Sequence, residues 1–290
     1  MRITRVAAIA AVAALSFTVA ACGGDDGGTG TGGSKATGIV GKAESSKKLV
    51  IGVKSDQPGL GLQTGSAYEG FDVEIGKIIA KGLGVDAGGI EWKTTTTPNR
   101  EPFIQQGTVD LVIATYTIND ERKQKVSFGG PYYIAGQDLL VKTDNTSIVG
   151  PESLDGKKVC SVSGSTPAKR ILAEHPKAKL QQFDAYAKCL PLLDGGQVDA
   201  VTTDDIILAG YAAQPQYAGK FKVVGKPFSS EPYGIGLKKD DKAGCAKVNE
   251  ILTAAASDGS YKAAWDSTLG KSGTPAPTLD TSKLTNCPAV

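Results

Sequence analysis

Between Asp110 and Arg122 the chain reads "DLVIATYTINDER": an apolar run passes straight into hydroxyls and ends on an arginine. Residues 111–114 have the character of a buried strand. Thr115 and Thr117 follow at alternate positions, and Arg122 falls in the first turn of a helix with Asn119 or Asp120 as its N-cap. A guanidinium is a planar, bidentate donor that fits a carboxylate in a way lysine does not. Hydroxyls and free N–H groups at a helix N-terminus complete such a site. Taken alone, Arg122 reads better as a solvated first-turn residue beside Asp120 and Glu121. An echo elsewhere in the chain reverses that reading. "QQGTVDLVIAT" (105–115) and "DGGQVDAVTTD" (194–204) both run Gly, one residue, Val-Asp, then a strand ending in threonine, and the second closes on an acid, Asp204. A cation at one strand end and an anion at its counterpart suit a ligand that carries both charges. Each charged group of such a ligand loses water in a cleft and must be paired there. Asp110 and Asp199, at equivalent places, read as turn residues, and Asp205 as a helix cap. In "GSTPAKR" (164–170) Pro167 sits where a first-turn helix proline would, which makes Ser165 or Thr166 the N-cap, with N–H groups open toward the same cleft.

The elements that must hold these residues alternate. "KLVIGV" (48–53) reads as a strand, and "FDVEIGKIIAKGLG" (71–84) has apolar residues at 71, 75, 78, 79 and 83, which is helical spacing closed by glycine. "IEWKTTT" is strand-like, "REPFIQQG" a short helix, and "VDLVIAT" a strand. The pattern restarts with the strand "KKVCSV", the helices "STPAKRILAEH" and "AYAKCLPLLDGG", and the strand "VDAVTTD". Strand–helix alternation of this kind predicts doubly wound, mainly parallel sheets, with ligands beyond the carboxyl ends of the strands. Residues 141–147 and 227–239 read as crossings between two lobes, and "AKVNEILTAAASDGSYKAAWDSTLG" as two closing helices.

With 32 basic and 30 acidic residues the net charge is +2, which argues against a nucleic-acid protein. The basic start "MRITR", the apolar run 6–21 and the Val19-Ala20-Ala21-Cys22 ending read as a lipoprotein signal peptide (1–21), with Cys22 as the acylated residue; an ordinary signal peptide is the alternative. Residues 22–46 read as a Gly-rich tether. Export permits disulfides. Of the three possible connectivities, chain order favours Cys160–Cys189 and Cys245–Cys287, the second pinning a tail at 271–290. No CxxC pair is present and the single histidine, His175, lies apart in sequence and reads as exposed, so no metal or cofactor is expected. Trp92 and Trp265 read as packing residues.

From about Leu49 to Leu269 the chain resembles the family 3 extracellular solute-binding proteins, which serve polar amino-acid ABC importers. The resemblance is carried, in order, by "GFDVEIGKIIAKGLG", "IQQGTVDLVIATYTINDERKQKVSFGGPYY", "GSTPAKR" and "DGGQVDAVTTD". "SDQPGLGL", "NREPFIQQG" and "TYTINDERK" are similar to the glutamate-binding lipoproteins of actinobacteria. The resemblance implies a two-lobe, type II periplasmic-binding-protein-like α/β fold with two hinge crossings: lobe 1 at 47–142 plus 231–270, lobe 2 at 143–230. It places the family's hydroxyl pair on Thr115 and Thr117, its α-carboxylate arginine on Arg122, its Gly-Thr-Thr turn on Gly164-Ser165-Thr166 and its α-ammonium acceptor on Asp204. Its side-chain reader falls on Arg100, with Lys54 able to assist or replace it. Where the family has an aromatic over the ligand, this chain has Gln57, which puts ligand stacking there in doubt.

The expectation is a non-enzymatic, monomeric, lipid-anchored clamp outside the cytoplasmic membrane that delivers an acidic L-amino acid to an ABC permease. Arg122 and Asp204 balance the ligand's α-groups, so the further cation Arg100 asks for a further anion, as in glutamate or aspartate. The alternatives are that Arg100 pairs with Glu101 or another protein carboxylate and faces water, that the ligand is glutamine or asparagine, or that the scaffold carries a dehydratase or lyase using Glu101 or Glu121. A fused receptor sensor is set aside because no membrane span follows the second lobe.

Overall fold

The computed structural model describes residues 37–272 and 275–287. Two five-stranded sheets repeat one plan. In the first, the strands Ile90–Thr94, Leu49–Val53 and Leu111–Val112 run parallel, and Glu231–Leu237 and then Ser127–Ala135 follow, with Glu231–Leu237 antiparallel to both its neighbours. In the second, Lys179–Phe183, Lys158–Val162 and Ala200–Asp204 run parallel, and Gln137–Lys142 and Phe221–Val223 complete the sheet through antiparallel pairings. Helices connect the parallel strands, as burial of both sheet faces requires. The Gly107 and Gly196 turns both take a left-handed φ of 69°. One step on, Asp110 and Asp199 each accept the N–H of the neighbouring strand's start, Val50 and Lys158, at 2.7 Å. The two turn aspartates are therefore structural, and the internal repeat is real in three dimensions.

The lobe boundary expected after residue 142 lies earlier, at Gly136. Residues 137–141 are all buried, and their strand takes both its hydrogen-bonding neighbours, Ala200–Asp204 and Phe221–Val223, from the second sheet. The chain returns between Phe228 and Glu231, and the two crossings touch. A Cβ on Gly136 would stand 2.6 Å from the Pro227 side chain, so glycine is required by close approach. The tether expected over 22–46 is likewise shorter at its end. Gly38–Ser46 is a helix with Ile39 and Ala43 buried, and the Ile39 N–H is held by Asp241 at 2.8 Å. The segment 1–36, with Cys22, lies outside the described residues.

Both disulfides pair as chain order favoured, with Cα separations of 5.7 and 5.8 Å, inside the usual range. The second ties residue 287 to the helix Lys242–Asp258. Beside it, Thr285 donates its hydroxyl to the Phe128 carbonyl of the first sheet. His175 is half-buried rather than exposed, its ring edge-on to Phe228. Trp265 is buried among aromatic rings, stacked on Tyr133 and edge-on to Phe71.

Candidate functional site

The carboxyl ends of the two sheets face one another across a narrow cleft, lined by Arg100, Thr115, Thr117 and Arg122 from the first lobe and Ser165, Thr166 and Asp204 from the second. Seven residues singled out in the sequence are thus brought to one place. Lys54 and Gln57 line an adjoining recess, joined to the first through Thr97 and Tyr186.

Arg122 is 4% exposed. Asn119 is the N-cap, its Oδ1 accepting the Arg122 N–H at 2.9 Å, and this fixes where the arginine leaves its helix. The guanidinium then donates to the Thr117 carbonyl at 2.7 Å and, across the cleft, to the Gly164 carbonyl at 3.1 Å, and pairs with Glu101 at 3.3 Å. Burial, and next the Arg100 charge, lower its pKa to about 10, so it stays protonated at neutral pH. Glu101 is therefore the partner of Arg122, which overturns the alternative that Arg100 takes Glu101 and faces water.

Arg100 is 3% exposed. It donates to the carbonyls of Thr97 (3.2 Å), Ala114 (3.2 Å) and Thr115 (3.0 Å), and its guanidinium lies 4.4 Å from the centre of the Tyr116 ring. Among the described residues no carboxylate lies within ion-pair distance of Arg100 or of Lys54. Lys54 is buried with its ammonium on the Thr97 hydroxyl at 2.7 Å, and burial, then the nearby Arg100, hold its pKa well below the ordinary lysine value. Thr115 itself has φ 44°, a left-handed conformation unusual for a β-branched residue, and its hydroxyl donates to Gln57 Oε1 at 3.1 Å.

In the second lobe Ser165 is the N-cap of Thr166–Glu174. Its Oγ accepts from the Ala168 N–H and donates to the Val162 carbonyl. Thr166, one residue on, reaches Glu231 Oε2 at 2.7 Å and stands 3.4 Å from the Thr117 hydroxyl of the other lobe. Asp204 ends its strand with one oxygen on the Tyr233 hydroxyl at 2.5 Å and the other, Oδ1, buried without a hydrogen-bond partner among the described residues. Burial first, and the Glu231 charge second, raise its carboxyl to about 7. Asp205 turns away, binding the Ile206 N–H and the N–H of Gly136 at the crossing. Of the neighbouring pair, Asp204 is the one that lines the cleft.

Four participants escaped sequence reasoning. Thr97 sits in the hydroxyl run "TTTTPN", a signal that was there to be used. Tyr186, Glu231 and Tyr233 carry no local signal, since tertiary approach alone brings them to the cleft.

Two lobes of one plan, joined by two touching crossings and closing a polar cleft at their strand ends, define a solute-binding protein of the two-lobe class. The family is shown by comparison as well: the model for bacterial extracellular solute-binding proteins, family 3, matches residues 49–270, and the chain belongs to that family. It is 41% identical over 280 residues to the glutamate-binding protein GluB of Corynebacterium glutamicum, covering 92% of this chain and 91% of the relative. It is also 41% identical over 217 residues to the ABC transporter glutamine-binding protein GlnH of Bacillus subtilis, covering 74% and 78%. Among solved structures it is similar to an ancestral arginine-binding protein bound to arginine, with TM-score 0.72 and 36% identity over 77% of this chain and 99% of that one. The chain is thus an amino-acid-binding protein of a family that works with ABC transporter permeases, and its relatives are binding proteins and not enzymes.

Proposed function

We propose that this protein captures an acidic L-amino acid, glutamate foremost, by closure of its lobes, and hands it to an ABC importer from a lipid anchor on Cys22. The α-carboxylate goes to Arg122 with Thr115 and Thr117, and the α-ammonium to the unpartnered oxygen of Asp204. The N-terminus of the Thr166–Glu174 helix closes over the carboxylate from the second lobe.

The observation that carries the choice of an acidic side chain is Arg100. It is buried on carbonyl oxygens and has no carboxylate partner, while Arg122 already has Glu101. A side-chain carboxylate reaching Arg100 and Lys54 supplies the missing anion. An amide leaves that charge uncompensated, at a cost on the order of several kcal/mol. The GluB relative supports this reading, and the GlnH relative at equal identity supports the amide alternative. Calorimetric titration with glutamate, aspartate, glutamine and asparagine separates them. Glutamate is expected to bind tightest, and the Arg100→Gln variant to lose that preference over glutamine. Tighter binding of the amides by the wild type sinks the proposal.

A further inference from the structure

Asp72 is fully buried, at 0% exposure, in the first turn of the helix Phe71–Gly82, and it does not line the cleft. Its carboxylate nevertheless spans two elements. Oδ2 accepts the backbone N–H of Thr115 at 2.9 Å, and Oδ1 accepts the Tyr132 hydroxyl at 2.7 Å. Thr115 is the residue forced to a left-handed φ of 44°. Such a conformation costs of order 1–3 kcal/mol and persists only where the surroundings hold it. Every polar group of Thr115 is held: its N–H by Asp72, its carbonyl by Arg100 and its hydroxyl by Gln57.

We propose that Asp72 is a positioning residue for ligand recognition: by capturing the Thr115 N–H it holds the left-handed turn that sets the Thr115 hydroxyl in the cleft and its carbonyl against Arg100. The inference rests on the proposed amino-acid site and adds to it a residue that acts on the ligand only through another. Without an acceptor behind it, the Thr115 N–H is a buried, unpaired donor, and the turn relaxes toward ordinary φ. That relaxation carries the hydroxyl and the Arg100 seat away together. An uncharged acceptor of the same shape suffices. An asparagine amide oxygen accepts the Thr115 N–H while its NH₂ donates to the Tyr132 oxygen, whose hydroxyl turns to allow it.

Three variants test this by glutamate calorimetry, at a temperature where circular dichroism shows each to be folded. Asp72→Ala is expected to raise Kd about tenfold or more, the effect of leaving one buried donor without a partner. Asp72→Asn should restore it to within about threefold, and Tyr132→Phe, which spares the Thr115 contact, should stay equally near the wild type. Asp72→Ala and Tyr132→Phe each remove a buried hydrogen bond and lower the melting temperature, so stability alone does not discriminate. Unchanged Kd in Asp72→Ala overturns the proposal. So does a Tyr132→Phe loss as large as that of Asp72→Ala, which marks general loosening, or an Asp72→Asn as weak as Asp72→Ala, which marks charge and not capture. Should Asp72→Ala not fold, amide hydrogen exchange on the wild type decides. A Thr115 amide protected before ligand is added supports the clamp, and exchange at the rate of an open loop overturns it. If the wild type takes another amino acid and not glutamate, the functional reading fails while the same comparison, run with that amino acid, still decides the role of Asp72.

Discussion

Arg122, Arg100 and Lys54 put three cations into one buried end of a cleft, and Asp204 puts a carboxylate at the other. The consequence is a pH profile with two limbs. Asp204 titrates near 7, as does Asp72 behind Thr115, both raised chiefly by burial. Asp204 faces Glu231 and Asp205, which keep it high, and the Tyr233 hydroxyl and the Arg100 charge, which oppose them. Below that pH the Asp204 carboxyl is neutral and no longer attracts an ammonium, so glutamate affinity should fall as pH drops from about 8 to about 6. Lys54 gives the opposite limb, because its lowered pKa releases the proton at less alkaline pH than an ordinary lysine does. Calorimetry across pH checks this. Asp204→Asn should flatten the acid limb and Lys54→Met the alkaline one, and an acid limb untouched in Asp204→Asn would refute the assignment. For stability the sign is reversed. A carboxyl with a raised folded pKa contributes stability that is present in full below its unfolded value and is lost as pH rises through about 7. The ligand-free protein is therefore least favoured at these two residues where its ligand binds best.

Among the elements, those with a clean period were legible and those built around glycine and proline were not. Phe71–Gly82 was evident from its 3.6-residue spacing, and Ala200–Asp204 from its echo of the first lobe. Glu231–Leu237, "EPYGIGL", reads as a connection because Pro and Gly are poor strand formers, yet it is a central strand of the first sheet. Its glycines make room for side chains that sequence does not place beside it. A Cβ on Gly236 would stand 2.7 Å from the Tyr116 ring, the ring on which both arginines lie. The site followed the same division. Thr115 and Asp204 stood out because each closes a repeated phrase, and Thr117 and Arg122 because they follow directly in the same run, whereas Asp72 and Glu231 act through contacts between segments far apart in the chain. The disulfide Cys160–Cys189 makes an element-level prediction. It fastens the strand Lys158–Val162 to the helix Cys189–Asp194 across 29 residues. Replacing both cysteines by alanine should lower unfolding free energy in urea by roughly 3–4 kcal/mol. A change near zero would mean that the closed loop is already ordered in the unfolded chain.

At the scale of the whole molecule, the lobes meet at both rims of the cleft. Asp56 of the first lobe accepts the Tyr211 hydroxyl at 3.0 Å and the Ala187 N–H at 3.3 Å, and Lys169 of the second pairs with Glu121 of the first. The exposed Lys169–Glu121 pair contributes about 1 kcal/mol or less, and a ligand that touches both sides shifts the balance toward the closed form by its differential affinity for it. Small-angle scattering should therefore show a smaller radius of gyration with glutamate than without it. An envelope that does not change, at a concentration where calorimetry shows saturation, would rule out closure as the recognition step.

The helix Gly38–Ser46 and the stapled segment 275–287 are the first and last described parts of the chain, and both are fastened to the first lobe, one through Asp241 and the other through Cys245. In mechanical terms the first lobe is the stator. Covalently, the described chain passes from it to the second lobe and back only at the two crossings, Gly136 and Phe228–Glu231. Among the described residues the second lobe is thus an insertion, hung covalently from the first by two neighbouring passages of chain, so a hinge there needs to bend at two points only.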